Sequence, residues 1–170
     1  MTKKIALSLV ICAALCAAAA AAQAAIPKKG SVAIVVGGYD EQHILSVQAI
    51  FVRELRANDY KVVDEKKLAE MRRNEAARLA LEGDVDAILR LRSKYKVDTV
   101  ITANIEAGRP MLNPFDLFTG TASIVVWASS GANMIYGDTS FGKKVGYTPN
   151  EAAQKSVEAA ASIAAEKLTL

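Results

Sequence analysis

Residues 97–107 read VDTVITANIEA, and this stretch decides the fold. Val100, Ile101 and Ile105 supply β-branched bulk, while Thr99 and Thr102 keep strand propensity without a charge in the middle. Two helical segments lead into it and a run of strands leads out. It therefore marks the seam between a parallel βα half and an antiparallel half.

Upstream, residues 31–36 (SVAIVV) form a nearly continuous apolar run, the pattern of a strand covered on both faces. Gly37-Gly38 breaks the run. Asp40 can then cap a helix over about 41–57, whose buried stripe is Ile44, Val47, Phe51 and Leu55. Asn58-Asp59 ends that helix, and residues 60–63 read as the second strand. Asp64 opens a charged helix through Leu81, with Leu68, Met71 and Leu79 inward. Gly83 stops it, and Asp84 caps a third helix to about Lys94 with Val85, Ile88 and Tyr95 on one side.

Downstream, residues 108–120 (GRPMLNPFDLFTG) hold two prolines, an asparagine and two glycines, which rule out regular structure over most of the segment. Residues 121–128 and 134–143 read as two strands joined across 129–133, where Gly131 frees the backbone to turn. Thr148-Pro149-Asn150-Glu151 is a capping box with proline at the first helical position. Ala153, Val157, Ala160, Ala164 and Leu168 follow at helical spacing, small enough to let the helix lie close to a sheet. The expectation is an α/β fold, a three-layer α/β/α sandwich around a mixed five-stranded sheet. Its order is strand, helix, strand, helix, helix, strand, strand, strand, helix, with a parallel first half and the last three strands antiparallel.

The chain of 170 residues suffices for one domain with its own core. Residues 1–24 read as an export signal: Lys3 and Lys4 form a positive start, residues 5–20 are almost wholly apolar, and Ala22-Gln23-Ala24 fits a small-x-small cleavage site. Cleavage after Ala24 is expected. The apolar run is nearly long enough to span a bilayer, so an uncleaved anchor is the alternative. Residues 25–30 would then be a mobile lead-in and 31–170 the single domain. Removal of the leader takes away both cysteines, Cys12 and Cys16, and with them any disulfide or thiolate site. Ile11 and Leu15 stand immediately before those cysteines, where a lipoprotein signal needs a small residue, so lipidation is not expected. The net charge of +3 becomes +1 once Lys3 and Lys4 leave. Nothing in that balance draws nucleic acid or anionic lipid.

Searches for chemistry come back empty. A zinc or iron site needs several His or Cys ligands, and His43 is the single histidine. It lies off the apolar stripe of its helix, on the solvent side. A Ser-His-Asp arrangement would have to use the same His43, and no G-x-S-x-G elbow presents a serine. Gly37-Gly38 joins a strand to a helix start, where α/β folds hold phosphates, yet G-x-G-x-x-G and the P-loop are absent and Asp40 and Glu41 repel an anion. Asp40, Asp64 and Asp84 are explained as caps. The arginines at 72, 73, 78, 90 and 92 alternate with acids, as on a solvated face. Catalytic, cofactor and metal residues are therefore assigned to none of these positions.

One segment differs. Met111, Leu112, Phe115, Leu117 and Phe118 crowd into the connection before the fourth strand. Exposed, they mark a partner contact; folded back, they close the end of the core. Gly37, Gly38 and Asn104, at the carboxyl ends of the first and third strands, are the alternative site, for a small ligand.

KVVDEKKLAE, then GDVDAILRLRSKYKVDTVITANIEAG, then a strand pair and a terminal VGYTPNEAA helix together resemble the soluble core of the curli-secretion channel (CsgG-type) family. The amino-terminal domain of TolB, the middle domain of flagellar assembly protein T and the penicillin-binding-protein activator lipoproteins share that pattern. The resemblance spans about residues 31–170. Asn104 stands where the family often has glycine, and Ser130-Gly131-Ala132 replaces its usual Thr-Gly-Glu turn. The connections at 108–120 and 144–147 are too short for membrane hairpins, each strand of which needs about 9–11 residues. The acylated cysteine is missing as well. The resemblance thus implies a non-enzymatic periplasmic adaptor without pore or anchor. Its partners would be other envelope proteins, with self-association open. A periplasmic small-ligand binder is the alternative, and an enzyme with an unfamiliar site has only fold-level analogy behind it.

Overall fold

The structure, a computed structural model, describes residues 26–170; the leader and cysteine readings fall outside the described residues. The elements in order are β1 (Ser31–Gly37), α1 (Glu41–Ala57), β2 (Lys61–Val62), α2 (Glu65–Arg72), α3 (Glu75–Leu81), α4 (Val85–Tyr95), β3 (Thr99–Ala107), β4 (Met111–Leu112), β5 (Phe118–Ser130), β6 (Asn133–Gly146) and α5 (Pro149–Thr169).

β1 pairs in parallel with β2 on one side and β3 on the other. β3 pairs antiparallel with β5, and β5 with β6. The seam at β3 is therefore where the sequence places it. The five expected strands are six, and five helices replace four. β4 continues the line of β3 past Gly108-Arg109-Pro110 along the same side of β5, so six strands fill five positions. Most of 108–120 lacks regular structure, as expected, and the exceptions are Met111–Leu112 and the start of β5. Pro110 lies outside the short ladder, and Pro114 sits in the turn, where neither costs a ladder hydrogen bond.

Two further corrections concern boundaries. The second strand shrinks to Lys61–Val62. The helix expected over 65–81 is two, because Asn74 leaves helical geometry and its side chain caps the Ala76 N–H. The lead-in is tied down at Ile26, which is 1% exposed and accepts a hydrogen bond from the Tyr60 hydroxyl on its carbonyl.

Side-chain alternation along the strands sorts the layers. α5 packs on the even positions of β5 and β6, where Gly120, Gly142 and Gly146 lie against Ala152 and Ser156. α1 shares that face, joined to α5 through Ser46, Gln154 and Glu158. The segment α2–α4 covers the opposite face of β1 and β3, as right-handed crossovers require. There Asn104 donates to the Leu81 carbonyl at 2.8 Å. Among the described residues no helix covers that face of β5 and β6. Val125 and Trp127 are half-buried on it, and Phe141 and Val145 are exposed. Val85, expected inward on α4, is also exposed; Ala87, Ile88, Leu91 and Tyr95 carry its buried face.

Candidate functional site

The segment between β4 and β5 is a tight hairpin tip. The Asn113 carboxamide oxygen accepts from the N–H groups of Phe115 (2.9 Å) and Leu117 (3.2 Å), and its amide reaches the Thr119 hydroxyl. The Asn113 N–H donates to the Leu117 carbonyl, and Asp116 takes a left-handed backbone (φ 58°) to close the turn. Asparagine and proline at these positions are what such a turn selects. The result is a fixed platform for apolar side chains. Phe115 is 82% exposed, Met111 71% and Leu112 61%. Leu117 and Phe118 are half-buried at the base. Met111, Leu112 and Phe115 thus stand in water, while Leu117 and Phe118 pack partly at the base.

The second sequence-derived trio behaves differently. Gly38 and Asn104 border an open cavity of about 760 Å³ at the carboxyl ends of β1 and β3. Gly37 lies beneath it in the sheet. A side chain at Gly37 would strike Asn104 and Leu81. His43, Glu106 and Trp127 also line the cavity, and sequence reasoning missed all three. His43 is half-buried there, not turned fully to solvent. Trp127 had a signal: residues 121, 123, 125 and 127 are Thr, Ser, Val and Trp, against Ala, Ile, Val and Ala at the even positions. That alternation belongs to a strand covered on one face only.

Two of the polar side chains of this cavity are committed. Asp40 caps α1 through the N–H groups of Gln42 (2.7 Å) and His43 (3.4 Å). Asn104 is tied to Leu81. Among the described residues, no group of three or more His, Cys, Asp or Glu side chains could hold a metal ion, and no helix is long and apolar enough to cross a membrane. A second groove, about 630 Å³, runs between α1 and α2 and is lined by Leu45, Val52, Arg53, Arg56 and Arg72. Arg72 pairs with Glu41 at 3.3 Å.

The geometry defines a three-layer α/β domain with a mixed sheet half-covered on one side. No protein-family model matches the chain, and no curated protein matches it. Among solved structures it is similar to the hypothetical protein CT253 of Chlamydia trachomatis (14% identity, 82% of this chain and 93% of that one, TM-score 0.49). It is also similar to the lipoprotein GNA1162 of Neisseria meningitidis (15%, 73% and 89%, TM-score 0.46). A third likeness is to a PelC dodecamer from Paraburkholderia phytofirmans (12%, 81% and 89%, TM-score 0.46). These are loose likenesses of shape, and no residue role passes from them to this chain.

Proposed function

We propose that this chain is a non-enzymatic protein-binding module of the bacterial cell envelope, exported by its leader and acting in the periplasm. One observation carries the contact: a turn locked by Asn113 holds Met111, Leu112 and Phe115 in water. Large apolar side chains on an exposed tip gain most from being covered. The export reading rests on Lys3, Lys4, the apolar run and Ala22-Gln23-Ala24. The sequence resemblance to the curli-secretion group points to the same compartment, with other envelope proteins as partners.

Replacing Phe115 and Phe118 with serine tests it. In intact cells, a photocrosslinker at position 112 should capture an envelope protein identifiable by mass spectrometry. The double variant should lose that capture with an unchanged circular dichroism spectrum. Capture that persists in the folded double variant overturns the assignment of the tip.

A second reading, a small-ligand binder, is favoured by the cavity bordered by Gly38 and Asn104. A specific ligand would raise the melting temperature by mass action. A thermal-shift screen of nucleotides and sugars that moves it nowhere removes this reading.

A further inference from the structure

We propose that the free edge of β6 is a self-recognition edge, on which a second copy of this chain adds antiparallel about a two-fold axis at Phe141. This goes beyond the tip and rests on other residues. β6 is 14 residues long and among the described residues pairs with β5 alone, while the opposite edge of the sheet is the two-residue β2. Long unpaired edges recruit strands unless something blocks them.

Which backbone groups are free follows from the ladder. The Gly108 N–H donates to the Thr121 carbonyl at 2.8 Å, so Thr121 points toward the line of β3 and β4. Lys143 stands opposite Thr121 in β5–β6 and so points away from β5. By alternation Phe141 and Thr139 do the same, which leaves their N–H and C=O groups at the edge.

The side chains then select one register. Centred on Phe141, a two-fold pairing sets Asp138 against Lys144 of the second copy, and the reverse, on the face that carries α5. On the bare face Phe141 meets Phe141. Val145 (48% exposed) comes over Gly137, whose missing side chain leaves the Trp127 ring uncovered. Lys144 has no ion pair among the described residues, whereas Asp138 holds Lys167 at 2.8 Å and keeps acceptor capacity. Moving the axis to Ser140 puts Lys143 on Gly137 and leaves Asp138 opposite Gly142. Moving it to Gly142 sets Phe141 against Lys143, and moving it to Lys143 opposes like charges. Only the axis at Phe141 joins opposite charges and aromatic rings together. The contact is isologous and closes as a dimer. It also covers Phe141, which is 70% exposed in the single chain.

Single cysteines read the register directly, in a chain with Cys12 and Cys16 replaced by alanine. Phe141→Cys should oxidise with diamide to a disulfide dimer, because directly opposed residues stand about 5.5 Å apart at Cα, inside the range a disulfide spans. Thr139→Cys and Lys143→Cys should each stay monomeric under the same oxidant, and their mixture should cross-link. In sedimentation equilibrium the unmodified chain should dimerise at tens of micromolar. Lys144→Asp should weaken that about tenfold through repulsion from Asp138, while Phe115→Ser should not change it. A chain that stays monomeric throughout, or one in which Thr139→Cys links and Phe141→Cys does not, overturns the proposal.

Discussion

Glycine 142 carries more of the fold than its size suggests. It lies under α5, where a side chain would overlap the carbonyl oxygen of Ser156 and press on the Ala160 N–H. Neither is the end of a flexible side chain, so nothing can yield cheaply. Gly142→Ala should cost about 2–3 kcal/mol and lower the melting temperature by roughly 5–10 °C in thermal unfolding. Tyr136 works in the other direction. Its hydroxyl is buried without a hydrogen-bond partner among the described residues. Burial, helped by the charge of Asp138, pushes its pKa up from 10.0 to about 12. The folded-state value is the raised one, so stability is full below pH 10 and falls as pH rises from 10 toward 12. Tyr136→Phe should therefore stabilise by about 1 kcal/mol at neutral pH and flatten the alkaline decline seen by melting at stepped pH. Neither residue announces itself in the sequence, because glycine tolerance and an orphan hydroxyl depend on what packs opposite.

At the scale of elements, much was legible and the exceptions share a cause. β1, α1, β3 and α5 follow from apolar period, capping aspartates and the 148–151 box. There the Thr148 hydroxyl accepts the Glu151 N–H at 3.1 Å, and the Glu151 carboxylate takes the Tyr147 N–H one residue upstream of the cap. Two of the departures fall where a residue serves two states. Asn74 is an ordinary helix residue by charge pattern and a strong cap by chemistry. Its side chain also reaches the Tyr95 hydroxyl, tying the break between α2 and α3 to α4. Asn74→Ala should cost about 1 kcal/mol, lowering the melting temperature by roughly 2–4 °C. Pro110 and Pro114 likewise signal a loop but are compatible with a hairpin whose ladder avoids them. The bare half of the sheet was encoded in the alternation of 121–128; its cavity was not, since the lining comes from two separate strands, the loop after β1 and a helix.

For the whole molecule, the distribution of packing predicts where it opens first. β1 and β3 lie between layers, and Val32–Val36 are at most 2% exposed. The tip at Asn113–Leu117 is held chiefly by one side chain. Limited proteolysis of the native chain should nick near the Phe115 bond first, leaving two fragments that remain associated and keep the parent's circular dichroism, because β4 adds only two residues to the ladder. Early cleavage within β1 or β3 instead would show the covered half to be the weaker one.

The buried Ile26 fixes a polarity. The chain enters the fold beside Tyr60 and Ser31, where Asp98 begins the path into β3 and accepts the Ser31 N–H at 2.7 Å. The hairpin tip lies past the other end of that strand, nine residues or about 30 Å away. Any leash running upstream from Ile26 thus pulls from the pole opposite the greasy tip. A molecule held by its front end would present Phe115 outward, like a grapnel on its line, and a partner could be reached without the leash having to double back.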